Sequence, residues 1–425
     1  MKVLMLGWEF PPFFAGGAGI VCSELTKSLN KIGVDVTYIM PFGPDEIYNK
    51  LSIQEPGKPL FKIIVAQNQT KISSLRIRTV DSILQPYTNS KEYERAYSKI
   101  MKSRKFAENN NKPLYGRDLK TEVMRFAKMA LEIAMEEEFD VIHAQDWVTF
   151  PAAMAIKEAT KKPLVVHVHI TEFDKTGGND ADPDVYAIER QGMIAADKVI
   201  AVSNKTRQIC IDKYFIDPNK ISVVYNAATE MDESITYDKV NISKNDKVVL
   251  FAGRITLQKG PDYFIEAAKK VIEKVPNTKF IMAGTGDMLP QMIQKSADMG
   301  LADKFIFTGF YTKEEGEKLF SMADVYVMPS VSEPFGIIPY EAMQKNTPTI
   351  VSKQTGISEV LTNTLKVNFW DINQLASKIV SLLAYPTLHR ELTTRGFLEA
   401  KNTTWKGPAT KCLNIYNEIT HVGAN

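Results

Sequence analysis

Two glutamates eight positions apart, Glu333 and Glu341, bracket a Pro-Phe-Gly turn in the stretch SEPFGIIPYEAM. Carboxylates accept hydrogen bonds in pairs, which suits the neighbouring hydroxyls of a sugar or a ribose. The apolar run DVYVMPS precedes Glu333, and GIIPYEAMQK then opens a helix whose first amides, at Gly336, Ile337 and Ile338, suit an anion. A second group lies in FAGRITLQKG, where Arg254 and Lys259 share one loop between Gly253 and Gly260. A guanidinium fork and an ammonium so placed either grip one diphosphate or remain two solvated cations.

Glycines and histidines supply the remaining candidates. In FFAGGAGIVCSEL, Gly16, Gly17 and Gly19 lie between a strand and a helix start. That is either a tight connection or a place where backbone approaches a phosphate at a positive helix end. MAGTGDMLP holds Gly284 and Gly286 without the third glycine or the later acid of a dinucleotide fingerprint, and reads as a turn lining a nucleotide pocket. His143, His167 and His169 fall at the ends of two strands, in VIHAQDW and VVHVHITEF. Side chains alternate along a strand, so His167 and His169 point the same way. His167 is expected in the core and His169, nearer the strand end, on a cleft, with Asp146 and Trp147 at the neighbouring strand end. No cluster of histidine, aspartate and cysteine has metal-ligand spacing, so neither a metal nor a cofactor is expected.

Every one of these groups follows a short β-branched run, and open parallel sheets bind ligands outside the carboxyl ends of their strands. Strands are predicted at KVLMLG, VDVTYIMP, FDVIHA, PLVVHVH, KVIAVS and ISVVYN, and a second series at KVVLFAG, TKFIMAG, KFIFTG, DVYVMPS and TPTIVS. Between them run amphipathic helices. In DYFIEAAKKVIEKV the residues Phe264, Ala268, Val271 and Val275 share a face, and Thr312 with Glu315 forms a capping box. The two series meet in a polar stretch near residue 228. Residues 44–120 interrupt the first with a Lys-, Asn- and Ser-rich insertion too long for a simple loop, expected to add a hairpin and a helix, and either a surface excursion or an acceptor-binding element.

At 425 residues the chain exceeds what one core usually supports. Its 52 basic and 50 acidic residues leave no bulk charge to recruit nucleic acid or an anionic membrane. Cys22, Cys210 and Cys412 lie far apart, which predicts neither disulfides nor zinc. No apolar run is long enough to span a bilayer, and the N-terminal MKVLMLGWEFPP reads as a strand and not as a leader, so a cytoplasmic location is expected.

Together GGAG, HAQDW, HVH, GRITLQKG and EPFGIIPYE, in this order and spacing, resemble the retaining glycosyltransferases of the GT-B fold. The similarity is greatest to families 4 and 5, which include bacterial and archaeal glycogen and starch synthases, and it covers nearly the whole chain apart from 44–120. The resemblance implies an α/β fold of two doubly wound Rossmann-like domains facing a central cleft. An acceptor-side domain would span 1–228, a nucleotide-sugar domain 229–404, and a helix at 405–425 would return to the first domain. It implies a hexosyltransferase in which Arg254 and Lys259 hold the donor diphosphate and stabilise the leaving group. Glu333 would bond the donor sugar, Glu341 the ribose, and His169 the sugar near its reacting carbon. Gly16, Gly17, Gly284, Phe335, Gly336 and Ile337 would complete the donor site, with Asp146 and Trp147 on the acceptor side. ADP- or UDP-glucose and a glucan or other glycan would be the partners. Trp8, Phe10, Phe13, Phe14 and Trp147 either offer apolar faces to sugar rings or pack the cleft edge.

Three departures from the family pattern stand out. Phe14 occupies the place of the lysine that ADP-glucose enzymes carry in this loop, Ala227 follows Asn226 where glycine is usual, and Thr355 precedes Gly356 where a glycine pair is common. A metal-dependent GT-A enzyme would need an acidic motif, and NDADPD, with Asp180 and Asp182, reads as a turn before a helix. A nucleotide-sugar epimerase on the same fold and a non-catalytic carbohydrate-binding protein are the other classes. The intact Arg254, Lys259 and Glu333 disfavour the latter, since binding alone needs no leaving-group clamp.

Overall fold

The computed structural model describes residues 1–10, 17–42, 75–81, 93–98, 118–178, 181–229, 231, 243 and 245–421. Phe13, Phe14, Gly16, Asp180 and most of the 44–120 insertion lie outside them. Strands β1 (Lys2–Leu6), β2 (Asp35–Phe42), β3 (Leu75–Asp81), β4 (Val141–Gln145), β5 (Leu164–Val168), β6 (Lys198–Ala201) and β7 (Ile221–Val223) form one sheet, ordered β3-β2-β1-β4-β5-β6-β7. Strands β8 (Lys247–Ala252), β9 (Thr278–Ala283), β10 (Phe305–Gly309), β11 (Val325–Met328), β12 (Thr349–Ser352) and β13 (Leu365–Val367) form the second, ordered β10-β9-β8-β11-β12-β13. All pairings of named strands are parallel. Helices cover both faces, so strands such as Leu-Val-Val-His-Val of β5 are buried at every position.

Each sheet reverses its strand order once, between β1 and β4 in the first and between β8 and β11 in the second. The crevices at those two points are where doubly wound sheets take ligands. The loops after β1, β4, β8 and β11 carry Gly17, Asp146, Arg254 with Lys259, and Glu333 in turn. Within each sheet, topology thus gathers residues far apart in sequence, Gly17 with Asp146 and Arg254 and Lys259 with Glu333.

The helices follow local sequence logic. Pro261–Ile272 begins with proline in its first turn and buries Phe264, Ile265, Ala267, Ala268 and Val271 on one stripe. Lys313–Met322 carries the capping box, the Thr312 side chain accepting from the Glu315 N–H and the Glu315 carboxylate from the Thr312 N–H. Asp182 caps Pro183–Ala195, so the acidic NDADPD segment ends in a helix start. In the insertion, β3 joins the sheet edge parallel to β2 and residues 93–98 are helical, while the expected hairpin falls outside the described residues.

A continuous apolar cluster joins the two halves. It runs from Val3, Met5 and Leu29 through Val224, Ala227 and Ala228 to Val248, Leu250 and Val351. Trp405, Ala409, Cys412 and Tyr416 belong to the same cluster, because helix Lys406–His421 packs beside helix Gly17–Lys31. All three cysteines are buried free thiols. Among the described residues no helix is long and apolar enough to cross a membrane.

Candidate active site

The second half supplies the charged side of the cleft. After β8 the chain turns through a short 3-10 segment, Leu257–Lys259, that ends at Gly260 with φ 65°. A Cβ on Gly260 would lie 2.3 Å from the Pro329 carbonyl oxygen, so only glycine lets this loop close against the end of β11. That closure brings the Lys259 ammonium onto the Glu333 carboxylate, to which it donates a hydrogen bond within a largely buried ion pair. An ammonium has three N–H donors, so two remain for phosphate oxygens, while Glu333 Oε1 remains for hydroxyls. Arg254 Nη2 donates to Gln258 Oε1 at 3.4 Å, and the Gln258 carbonyl accepts from the Val331 N–H at 2.9 Å. The cationic loop and the glutamate loop are therefore one built unit.

The Glu333 turn is held from its other side. Its N–H donates to the Gln354 carbonyl at 3.2 Å, and its carbonyl accepts from the Gly356 N–H at 2.9 Å. Gly336 has φ 88° and no room for a side chain, since a Cβ would sit 2.9 Å from Glu333 Cγ. Ile337 caps the seven-residue helix Ile338–Gln344, which carries Glu341 in its first turn. Burial pushes the Glu341 carboxyl up to about 7, with Lys313 opposing and Glu317 adding to the rise. Gly284, φ 136°, approaches Gly253 so closely that a Cβ would lie 1.8 Å from its carbonyl oxygen, which makes it a packing contact between two strand-end loops. Phe335 is 2 % exposed and packs on Tyr225 and Tyr340, so its ring belongs to the core and only its backbone borders the turn.

The first half supplies a neutral face. His143, His167 and His169 stack in a row, with ring centroids 5.4 and 4.2 Å apart. Burial holds His143 down at about 3 and His169 at about 4, and holds His167 well below its ordinary value, so all three rings are neutral at pH 7. His169 Nε2 lies 2.5 Å from Gln145 Oε1, Gln145 Nε2 lies 3.4 Å from His143 Nε2, and His143 Nδ1 lies 2.6 Å from the Tyr416 hydroxyl. A carbonyl oxygen can only accept, so Nε2 of His169 carries its proton and Nδ1 is an acceptor. That Nδ1 is buried without a protein partner.

Asp146 adopts φ 58° and ψ 170°, a strained backbone for a non-glycine residue. Its Oδ1 accepts from the N–H groups of His169 at 2.7 Å and Ile170 at 3.3 Å, while its buried Oδ2 has no partner. Burial raises this carboxyl to about 7, against the pull of those two N–H groups and of Lys175. Trp147 is 3 % exposed, meets Trp8 edge-on at 6.2 Å and has the Lys175 ammonium 5.8 Å from its ring centre. It packs the site from behind and presents no open face, and Trp8 and Phe10 are likewise buried. Gly17 opens helix Gly17–Lys31, and among the described residues a Cβ added to it would meet nothing within 4 Å.

Sequence reasoning did not single out Gln145, Asp174, Lys205 or Ser332, and it placed Glu359 only as the glutamate that follows Gly356 in the family pattern. Each follows or ends a strand, and that position was the available signal. Among the described residues no group of three or more histidine, cysteine, aspartate or glutamate side chains is placed to hold a metal.

Two doubly wound parallel sheets, with a cationic loop, a glutamate turn and a neutral histidine face gathered at their strand ends, define a GT-B glycosyltransferase. The chain belongs to this class by descent: residues 2–216 match the family described as the starch synthase catalytic domain, and residues 232–397 match glycosyl transferases group 1. An uncharacterized glycosyltransferase of Methanocaldococcus jannaschii is 28 % identical over 372 residues, covering 85 % of this chain and 83 % of its own. Among solved structures, sucrose-phosphate synthase from Thermosynechococcus elongatus superimposes with a TM-score of 0.72 at 18 % identity, over 99 % of both chains. Anabaena HepE, solved with UDP and glucose, gives 0.67 at 17 % identity, over 98 % of this chain and all of that one.

Proposed function

We propose that this chain transfers glucose from a nucleoside diphosphate glucose, ADP- or UDP-glucose, to the end of a glucan, with retention at the anomeric carbon. The observation that carries the reading is the Lys259–Glu333 pair, which joins a phosphate donor to a hydroxyl acceptor at one strand end. The diphosphate lies on Arg254 and Lys259, the ribose on Glu341, and the sugar between Glu333 and the accepting Nδ1 of His169. As the bond from the anomeric carbon to the phosphate oxygen breaks, its electron pair goes to that oxygen, where the two cations meet the growing charge. The acceptor hydroxyl approaches from the first half, past Asp146, and forms the new bond as its O–H bond breaks and its proton passes to the departing phosphate oxygen. These cations already offset the diphosphate charge, so no metal or cofactor is required. The starch synthase match over residues 2–216 favours a glucan, and the UDP and glucose held by HepE favour a uridine donor. A cytoplasmic site of action fits a nucleotide-sugar substrate.

Maltooligosaccharides offered with UDP-glucose and ADP-glucose separately, in the presence of EDTA, test every part of this reading. Lengthened chains that an α-1,4-specific hydrolase shortens again are expected. If neither donor lengthens them while another sugar donor is used on another acceptor, the glucan assignment fails and the glycosyltransferase class stands. Activity lost to EDTA and restored by magnesium or manganese overturns the metal-free mechanism, and a β-linked product overturns retention.

A further inference from the structure

Lys205 ties together three segments that lie far apart in sequence. Its backbone N–H donates to Glu359 Oε1 at 2.8 Å, beside the Asn204 N–H on Glu359 Oε2 at 2.9 Å. A carboxylate of the second half thus sits on the first turn of the first half's helix Asn204–Asp212, where the Tyr225 hydroxyl also donates to it at 2.8 Å. The Lys205 ammonium donates to Asp174 Oδ1 at 3.0 Å and to Ser332 Oγ at 2.6 Å, and the Ser332 hydroxyl donates to Asp174 Oδ1 at 2.7 Å. The Asp174 side chain is 0 % exposed. Its other oxygen takes the Thr171 hydroxyl at 2.8 Å and the Thr171 N–H at 3.2 Å, closing a turn that begins two residues after His169. Ser332 directly precedes Glu333. One ammonium therefore fastens the loop of His169 to the loop of Glu333.

We propose that Lys205 is a positioning residue for sugar transfer: it fixes the separation across the cleft at which His169 and Glu333 reach the same sugar. This rests on the reading of those two residues as donor-sugar ligands. An ion pair in open water would hold little. Here the carboxylate is removed from solvent and its donors Thr171, Lys205 and Ser332 come from three separate segments, so the geometry is defined by the junction and not by chance contact. Nucleotide binding draws on Arg254, Lys259 and Glu341, all on the second half, where the Glu333 loop keeps its own ties to Gln258, Gln354 and Gly356 without Lys205, so it is expected to change far less than turnover.

The test measures kcat, donor KM and UDP affinity for Lys205→Met, Lys205→Arg and Ser332→Ala. It also measures the distance between spin labels on cysteines placed at the exposed positions Glu158 and Lys270, one on each half. An ångström of misplacement commonly costs on the order of 100-fold, so kcat is expected to fall about 10- to 100-fold in Lys205→Met. UDP affinity stays within about twofold, the label distance distribution broadens, and Lys205→Arg recovers most of the rate, since it keeps the charge and the N–H donors. Ser332→Ala removes two hydrogen bonds, one from Lys205 and one to Asp174, without stranding a charge, and reports in the same direction if Lys205→Met does not fold. Unchanged kcat and label distances in folded Ser332→Ala and Lys205→Met, with only a lower melting temperature, overturn the proposal. The distances are read without substrate, so a chain that transfers no sugar to any acceptor refutes the functional reading while the junction is still judged on its own.

Discussion

Replacing Glu333 with glutamine removes one negative charge and leaves the shape of the side chain. Glu333 is 8 % exposed, accepts from Lys259, and has Gly336 against its Cγ, so neither the space nor the hydrogen bond is lost when an amide oxygen takes the carboxylate's place. The charge of the pair changes from zero to one positive, which favours a bound diphosphate. The sugar hydroxyls, however, meet an amide NH2 donor where a charged acceptor stood, because the single amide oxygen is held by Lys259. Losing one preorganised group of this kind costs about 100- to 1000-fold in kcat, or about 2.7–4 kcal/mol of barrier. UDP affinity, read by calorimetry, is expected to hold or rise, and the melting temperature to change little. Lys259→Ala is expected to show a similar loss of kcat, together with weaker UDP binding and a clear drop in melting temperature, because it strands a largely buried carboxylate. Residues that act as one unit are not additive, so the double variant should lose no more than about tenfold beyond the worse single variant. A loss equal to the product of the two single losses, or near-normal turnover by folded Glu333→Gln, refutes the account of the pair.

Two further outcomes follow from the same loops. The folded chain holds the Glu341 proton more tightly than an unfolded chain does, its pKa being pushed up to about 7 by burial, so ionisation costs stability as pH rises from the usual glutamate range through 7. Glu341→Gln should therefore raise the melting temperature at pH 8 and much less at pH 5, and a gain that does not grow with pH contradicts the assignment. Gly336→Ala forces a left-handed backbone and a 2.9 Å contact on Glu333 Cγ, and should cost about 1 kcal/mol or more of stability with a parallel fall in kcat; a stable variant with full turnover would show that Glu333 need not stay where it is.

Strands that are buried on both faces announce themselves as β-branched runs, and all of the predicted runs recur in the two sheets. The two that escaped have physical reasons. Strand β13 spans only Leu365–Val367 at a sheet edge, and β3 sits within a polar insertion where Arg76 and Arg78 break the apolar pattern. The charged site was legible because Arg254, Lys259 and Glu333 lie on short loops after strands, where packing has no use for charge. His169 shows the limit: its place at a strand end was readable, but its tautomer is set through Gln145, His143 and Tyr416, a relay closed by a helix 273 residues downstream of His143. The same holds for Asp174, Lys205, Ser332 and Glu359, whose partners lie up to 158 residues away. Trp147 read as either a surface for sugars or cleft-edge packing because an aromatic at a strand end looks the same whether its faces are open or covered, and here Trp8 and Lys175 pack against it.

Helix Lys406–His421 completes an apolar cluster begun by Val3 and Met5, and its Tyr416 bonds to His143 beneath the histidine face. Ribosomes deliver a chain from its N-terminus, and domains usually fold in that order. Each half has a cluster of its own, around Leu6, Phe126 and Ile156 in the first and around Phe264, Phe280 and Leu375 in the second, so each has a core to consolidate as it is made. The shared seam is different: residues of β1 and of helix Gly17–Lys31 emerge early but keep part of their apolar surface uncovered until the second sheet has been made. During that interval the earliest-made strands depend on being shielded by something other than their final neighbour.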